Sequence, residues 1–322
     1  MPRPSAINMM KILSALIAGL LACSCSINKM AMKSVADTLT SGGSGDVFTG
    51  DPDPELVGDA LPFAIKLYES LLASNPKHEG LIITTGSLFV MYANAYVQGP
   101  AEMLPSSRHE ERDAAKQRAK KLYLRGTAIL YTGLNAQYPG FSGAYQAGTL
   151  DALLGKMKKA DVPLLYWAAA GTLAAFSLDP FDLGLGVKIP ELTAMIHRAY
   201  QLDPDFNSGA LDDFYILFYG SLPEVMGGDK AKAREHFERA QEKTGGRIAG
   251  PYLSYAQAIA IPAQDYEAFA RCMESALAVD PDADPPNRLA NILAQRKAQH
   301  LLDNADDYFV TLEMDGGGGD DY

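Results

Sequence analysis

Cysteine is scarce. The 322 residues hold three, two of them at Cys23 and Cys25 near the start and the third at Cys272. So few thiols cannot build a disulfide framework. Positive charge is also short, 28 Lys and Arg against 39 Asp and Glu, for a net charge of −11. An acidic chain has no diffuse attraction to phosphate backbones, which argues against general nucleic-acid binding. No sustained period-two run of β-branched residues occurs, which argues against a β-rich body. Catalytic motifs are missing as well: there is no His-Glu-x-x-His, no phosphate-binding Gly-x-x-x-x-Gly-Lys-Ser/Thr, no Gly-x-Ser-x-Gly and no Gly-x-Gly-x-x-Gly. The five histidines (His78, His109, His197, His236 and His300) are scattered. The carboxylate groups Asp51/Asp53/Glu55, Asp203/Asp205 and Asp280/Asp282/Asp284 flank expected helix ends, where capping explains them. None has the sixth-position Gly and closing Glu of a calcium loop. No catalytic residue, metal or cofactor is expected; an enzyme reading would need a composite site drawn from distant residues.

What is present begins with an address. Residues 1–22 carry Arg3 and Lys11, then an uncharged and largely apolar run from Ile12 to Ala22. Eleven residues at a rise of ~1.5 Å cover about half of a ~30 Å bilayer core, the length of a signal segment and not of a stable span. Leu20-Leu21-Ala22-Cys23 resembles a bacterial lipobox, with Ala22-Cys23-Ser24-Cys25 as a second register. The expected mature protein is therefore acylated at Cys23, with Cys25 the alternative, and held at a membrane outside the cytoplasm. Serine after the cysteine points towards the outer membrane. Residues 23–52, including the glycine-rich SGGSGDVFTGDP stretch, read as a flexible lipid-anchored linker. Residues 313–322 read as a disordered acidic tail.

Between them, residues 53–312 read as one helical body. Hydrophobic residues make up 48% of the chain, enough for a sizeable core. Asp53-Pro54-Glu55 is a helix start: an acidic cap, proline in the first turn, and a carboxylate at the positive end of the dipole. Leu61, Ile65, Tyr68 and Leu72 then form one helical stripe; Leu192, Met195, Ile196 and Ala199 form another, and Phe269, Met273, Ala276 and Leu277 a third. Asn75-Pro76, Asp203-Pro204 and Asp280-Pro281 should each stop a helix, with Tyr138-Pro139 and Asp179-Pro180 as weaker copies. Helix, Asp-Pro stop and second helix, repeated at irregular intervals, predict an all-α chain of tetratricopeptide-like helical hairpins stacked as a degenerate solenoid.

Within that body several residues are candidates for a ligand site. Trp167 is the sole tryptophan and sits beside Tyr166, followed by Ala and Gly. That arrangement suits a close helix crossing or a cavity wall. Tyr92, Asn94 and Tyr96 could line a pore, and Tyr92 and Tyr96 at i, i+4 are equally ordinary hairpin packing. Arg125 and Arg247 stand among apolar residues, so each, if buried, needs a structural carboxylate or an anionic ligand group. Cys272 lies in an apolar helical pattern and reads as a small core residue.

Several ordered stretches together resemble the T component of tripartite ATP-independent periplasmic (TRAP) transporters. They include Asp53-Pro54-Glu55-Leu56-Val57, Arg118-Ala119-Lys120-Lys121-Leu122-Tyr123-Leu124-Arg125, Val162-Pro163-Leu164-Leu165-Tyr166-Trp167, Ala233-Arg234-Glu235-His236-Phe237, Gly245-Gly246-Arg247 and Asn287-Arg288-Leu289-Ala290-Asn291. The resemblance runs from about residue 23 to residue 302. It implies a helical, non-catalytic periplasmic lipoprotein that forms a homotrimer, docks the substrate-binding P component, and carries a ligand tunnel in each protomer. Tyr92, Asn94, Tyr96, Arg125, Tyr166, Trp167 and Arg247 are the tunnel candidates. Gly99-Pro100 departs from the pattern by interrupting the helix end after Tyr96. A different reading is a general tetratricopeptide-type envelope scaffold that holds peptides or assembly partners.

Overall fold

A computed structural model of the chain describes residues 34–40 and 46–310. The readings of the signal segment, of Cys23 and Cys25, and of the tail at 313–322 lie outside the described residues. Within them the backbone forms helices and turns, with no strand. The principal helices are α1 (residues 34–40), α2 (Pro54–Ser74), α3 (Glu79–Ala93), α4 (His109–Gln137), α5 (Phe141–Ala147), α6 (Val162–Ser177), α7 (Ile189–Leu202), α8 (Ala210–Ser221), α9 (Lys230–Thr244), α10 (Gly250–Tyr255), α11 (Tyr266–Ala278) and α12 (Arg288–Asp303). The chain is all-α.

The local signals act as their chemistry requires. The Asp53 carboxylate accepts from the Leu56 N–H at 3.0 Å and caps α2. All five X-Pro sites end a helix: α2 stops at Ser74, α4 at Gln137, α6 at Ser177, α7 at Leu202 and α11 at Ala278. Gly99-Pro100 behaves differently from the sequence reading. α3 runs on through a π-helical segment, Asn94–Gln98, into a further α-turn at Gly99–Glu102. A proline ring clashes with the carbonyl four residues earlier, here that of Tyr96, and the wider π-turn gives the ring room without breaking the helix. The resulting 24-residue helix, Glu79–Glu102, is long and apolar enough to cross a membrane by length and composition. Here it is a core helix, packed by α2, α4 and α6.

Helices pack chiefly on their chain neighbours: α2 on α3, α3 on α4, α4 on α6, α6 on α7, α8 on α9, and α11 on both α10 and α12. The largest apolar cluster joins Leu130 and Leu134 of α4, Leu164 and Leu165 of α6, and Met195 and Ile196 of α7. A second cluster, with Phe269, Met273, Leu301 and Phe309, fills the C-terminal end.

The last helix returns to the first part of the chain. Leu289 and Leu293 of α12 pack with Val57, Leu61 and Leu81. Around that apolar seam, Arg296 pairs with Glu55 at 2.5 Å, Lys297 with Glu102 at 2.7 Å, and Arg288 donates to the Gly50 carbonyl at 2.7 Å. The row of hairpins is thereby closed on itself. α1 and the short helix Asp46–Thr49 fall in the stretch read as a flexible linker, and both are helical. α1 docks because Ala36 is buried in the same seam, the Leu39 carbonyl accepts from the Tyr68 hydroxyl at 2.9 Å, and Asp37 meets His78 at 2.9 Å.

Candidate functional site

The sequence candidates fall into three groups. Tyr92, Asn94 and Tyr96 sit where α3 passes into its π-turn. The Tyr92 and Tyr96 rings stack at 5.8 Å, and Arg118 lies over Tyr92 at 5.8 Å. Tyr96 covers Gly58, where a β-carbon would be 2.7 Å from the ring. Its hydroxyl is buried without a hydrogen-bond partner. Burial, reinforced by the Glu55 charge, pushes that phenol up to about 12. Asn94 is exposed. Beside this turn is a residue the sequence did not single out: buried Tyr123, whose hydroxyl donates to Gln98 Oε1 at 2.6 Å.

The arginines are a second group, and they differ from each other. Arg125 meets Glu69 at 2.5 Å and lies 4.9 Å from the Phe89 ring centroid, a half-exposed structural pairing. Arg247 is exposed. Its backbone carbonyl accepts from Asn291 Nδ2 at 2.9 Å, and its guanidinium makes no ion pair among the described residues.

Tyr166 and Trp167 form the third group. They meet edge-on at 5.0 Å, and Tyr166 also packs on Phe206 at 5.2 Å. Trp167 and Tyr92 border the same apolar cluster of Val90, Ala93, Val97 and Tyr123. Close to Tyr166 is Asp213, from the first turn of α8, whose charge raises the Tyr166 phenol further after burial has already done so. Asp213 Oδ1 is buried with no hydrogen-bond partner, and Oδ2 is 3.7 Å from where Gly250 would carry a β-carbon. Burial pushes the Asp213 carboxyl up to about 6, against a small lowering by the Ser254 hydroxyl and with a further rise from the Asp212 charge. Both Tyr166 and Asp213 keep some accessible surface. Periodicity could not reveal Asp213, because an acid in the first turn of a helix reads as a dipole partner.

The pH consequence of Asp213 is specific. A carboxyl whose folded pKa lies above its unfolded value contributes stability that is complete below about 4 and is lost as pH rises through about 6. Asp213→Asn removes the buried charge and keeps the shape. We expect it to melt above the unsubstituted protein at neutral pH, with the difference shrinking towards pH 4, as read by thermal unfolding across that range.

A separate cleft of about 360 Å³ opens between α4, α5, α6 and the 183–188 turn. Tyr131, Thr127 and Thr172 line its inside, and Lys188 stands at its edge. The Lys188 ammonium donates to the carbonyls of Tyr145 (3.3 Å) and Gln146 (2.9 Å), so it caps the C-terminal end of α5. Gly184 and Leu185, which line this cleft, belong to a single helical turn capped by Asp182.

Among the described residues no group of three His, Cys, Asp or Glu could hold a metal ion. Burial raises the Cys272 thiol to about 11, the condition of an inert core cysteine. His236 is held against Asp212 at 2.7 Å and stacked on Tyr215 at 4.6 Å. The arrangement suits holding a molecule.

Comparison with known proteins agrees. An uncharacterised protein of Treponema pallidum (strain Nichols) is 35% identical over 306 residues, which cover 90% of this chain and 95% of that protein. The family model described as TRAP transporter T-component matches residues 50–309, from the turn before α2 to the end of the C-terminal cluster. The chain thus belongs to the T-component family of TRAP transporters, as a non-catalytic accessory subunit of a solute transporter in the cell envelope.

Proposed function

We propose that this protein is a lipid-anchored periplasmic accessory that docks the substrate-binding P component and gives its ligand a passage through the helical body. The observation that supports this most is the closed seam between α12 and α2, because a closed row of hairpins encloses an inner surface. In this reading the half-buried Tyr166, Trp167 and Asp213 would face that passage. Acylation at Cys23, or at Cys25, would hold the body at the outer membrane. Energy would come from the permease, which fits a chain without a phosphate loop.

The rim of the 360 Å³ cleft offers a docking face. Phe181, Leu183 and Val187 expose 91%, 80% and 65% of their surface beside it. Large apolar side chains so exposed on one short segment are the anchors a partner would bury. Leu56, Phe63 and Leu67 form a second exposed stripe along one face of α2, which we assign to self-association as a trimer.

The test is capture of the P component encoded in the same genome by the purified mature protein. We expect a stable complex, weakened about tenfold or more by Phe181→Asp with Leu183→Asp. No complex with any such P protein would overturn the docking role and leave the general scaffold as the better reading.

A further inference from the structure

The 360 Å³ cleft has a distinctive hydrogen-bonding floor. Thr127 of α4 and Thr172 of α6 are both buried and both line it. Each hydroxyl donates back into its own helix, Thr127 to the Leu124 carbonyl at 3.2 Å and Thr172 to the Ala168 carbonyl at 2.7 Å. A hydroxyl has one proton and two lone pairs, so these threonines are left with acceptor oxygens. The Tyr131 hydroxyl stands 3.4 Å from Thr172 Oγ1. Because Thr172 directs its proton to Ala168, Tyr131 is the donor of this pair. The contact is longer than the ~2.5–3.0 Å of an ordinary O–H···O bond, so that proton is loosely held.

A lone pair and a loosely held proton side by side select their partner. Two oxygens 3.4 Å apart leave room for a third at about 2.8 Å from each. The third must donate to Thr172 and accept from Tyr131. A hydroxyl does both, whereas an ether or a carboxylate only accepts and an ammonium only donates. Charge also disfavours a cation. Among the described residues no Asp or Glu lines the cleft, and the Lys188 ammonium stands at its edge, held by two carbonyls and 5.3 Å from the Tyr145 ring. Water would satisfy the polar pair and leave the rest of the wall bare. That wall is Leu124, Ala128, Leu185 and the rings of Tyr131 and Tyr145, which meet at 5.1 Å. Ring faces and aliphatic side chains suit a flat apolar body. At about 30 Å³ for each water-sized unit, the cleft takes about a dozen non-hydrogen atoms.

We propose that this cleft is a binding site for a small neutral phenol, its hydroxyl between Thr172 and Tyr131 and its ring against Leu124, Leu185 and Tyr145. The proposal goes beyond the passage and docking roles and depends on neither.

The experiment titrates the purified protein with 4-ethylphenol by ligand-observed NMR. 4-Ethylanisole, 4-ethylbenzoate and 4-ethylbenzylamine serve as the ether, the anion and the cation. We expect saturable binding of the phenol with a Kd of about 1 mM or below, and about tenfold weaker binding of the other three. Thr172→Val keeps the shape and removes the acceptor; it should weaken the phenol about tenfold and leave the ether unchanged. Tyr131→Phe removes the donor and should act in the same way. Ala128 is exposed at the cleft, so Ala128→Phe should fill it and abolish binding with the melting temperature unchanged. No saturable binding of the phenol, equal affinity for any of the other three, or an unchanged phenol affinity in Thr172→Val or in Ala128→Phe would each overturn the site. P-component capture on the same samples reads the docking role separately. Phenol binding without capture removes docking and leaves the cleft standing; capture without phenol binding does the reverse.

Discussion

Replacing Asp212 by alanine is expected to destabilise the protein by about 3–5 kcal/mol, the cost of breaking a buried charge network from one side. Asp212 is fully buried in the first turn of α8 and binds His236 and Lys243 of α9 and Tyr200 of α7. Its removal leaves Lys243 with a looser contact to Asp205 at 3.3 Å, the Pro204 carbonyl at 2.7 Å and the Tyr200 ring at 5.4 Å. It also leaves His236 without its carboxylate, against the rings of Tyr215 and Tyr219. The pH signature is the reverse of that of Asp213. Burial opposes ionisation of Asp212, but the hydrogen bonds from His236 and Lys243 outweigh it and hold the carboxyl below its ordinary value. Its stabilisation is therefore complete above about pH 4 and is lost as pH falls through the folded pKa. Urea unfolding of Asp212→Ala and parent at pH 7 and pH 3 checks both points: a large gap at neutral pH that narrows in acid.

Gly126→Val is expected to be at least as damaging, about 3 kcal/mol or more, through overpacking that the backbone cannot relieve. At the crossing of α3 and α4, Gly86 and Gly126 face each other. A β-carbon on Gly126 would be 2.7 Å from the Gly86 carbonyl oxygen and 2.8 Å from Phe89 Cβ. One on Gly86 would collide with Leu130 Cγ and be 3.0 Å from the Gly126 carbonyl oxygen. Backbone lies against backbone, so no change of rotamer makes space and the helices must separate. Gly143 in α5 supplies the contrast. Nothing lies within 4 Å of its missing β-carbon and it is exposed, so Gly143→Ala should stabilise by about 0.5–1 kcal/mol. Thermal melts of the two variants should move in opposite directions.

The helices were legible in the sequence because their signals are local. A stripe such as Leu192, Met195, Ile196 and Ala199, a cap such as Asp53, and a stop such as Asp203-Pro204 each act within one or two turns. Pro100 misled because a proline inside a helix normally ends it, and only the preceding segment's shift to π geometry lets this one continue. The site was less legible because its parts are distant in the chain. Tyr166 and Trp167 stood out by rarity and size, whereas Asp213 stands beside them only through the packing of α8 near α6. Arg125 invited a ligand reading because its partner, Glu69, lies on another helix 56 residues earlier. An ion pair at that separation has no signature in a single sequence.

The seam between Glu55, Arg296 and their neighbours fixes the size of the molecule. An open repeat array lengthens by adding one more unit at either end, and each addition leaves the others where they were. A ring has no such freedom. One extra hairpin between them would push Arg296 and Lys297 out of reach of Glu55 and Glu102. Variation between relatives should therefore fall in the turns and leave the number of helices alone.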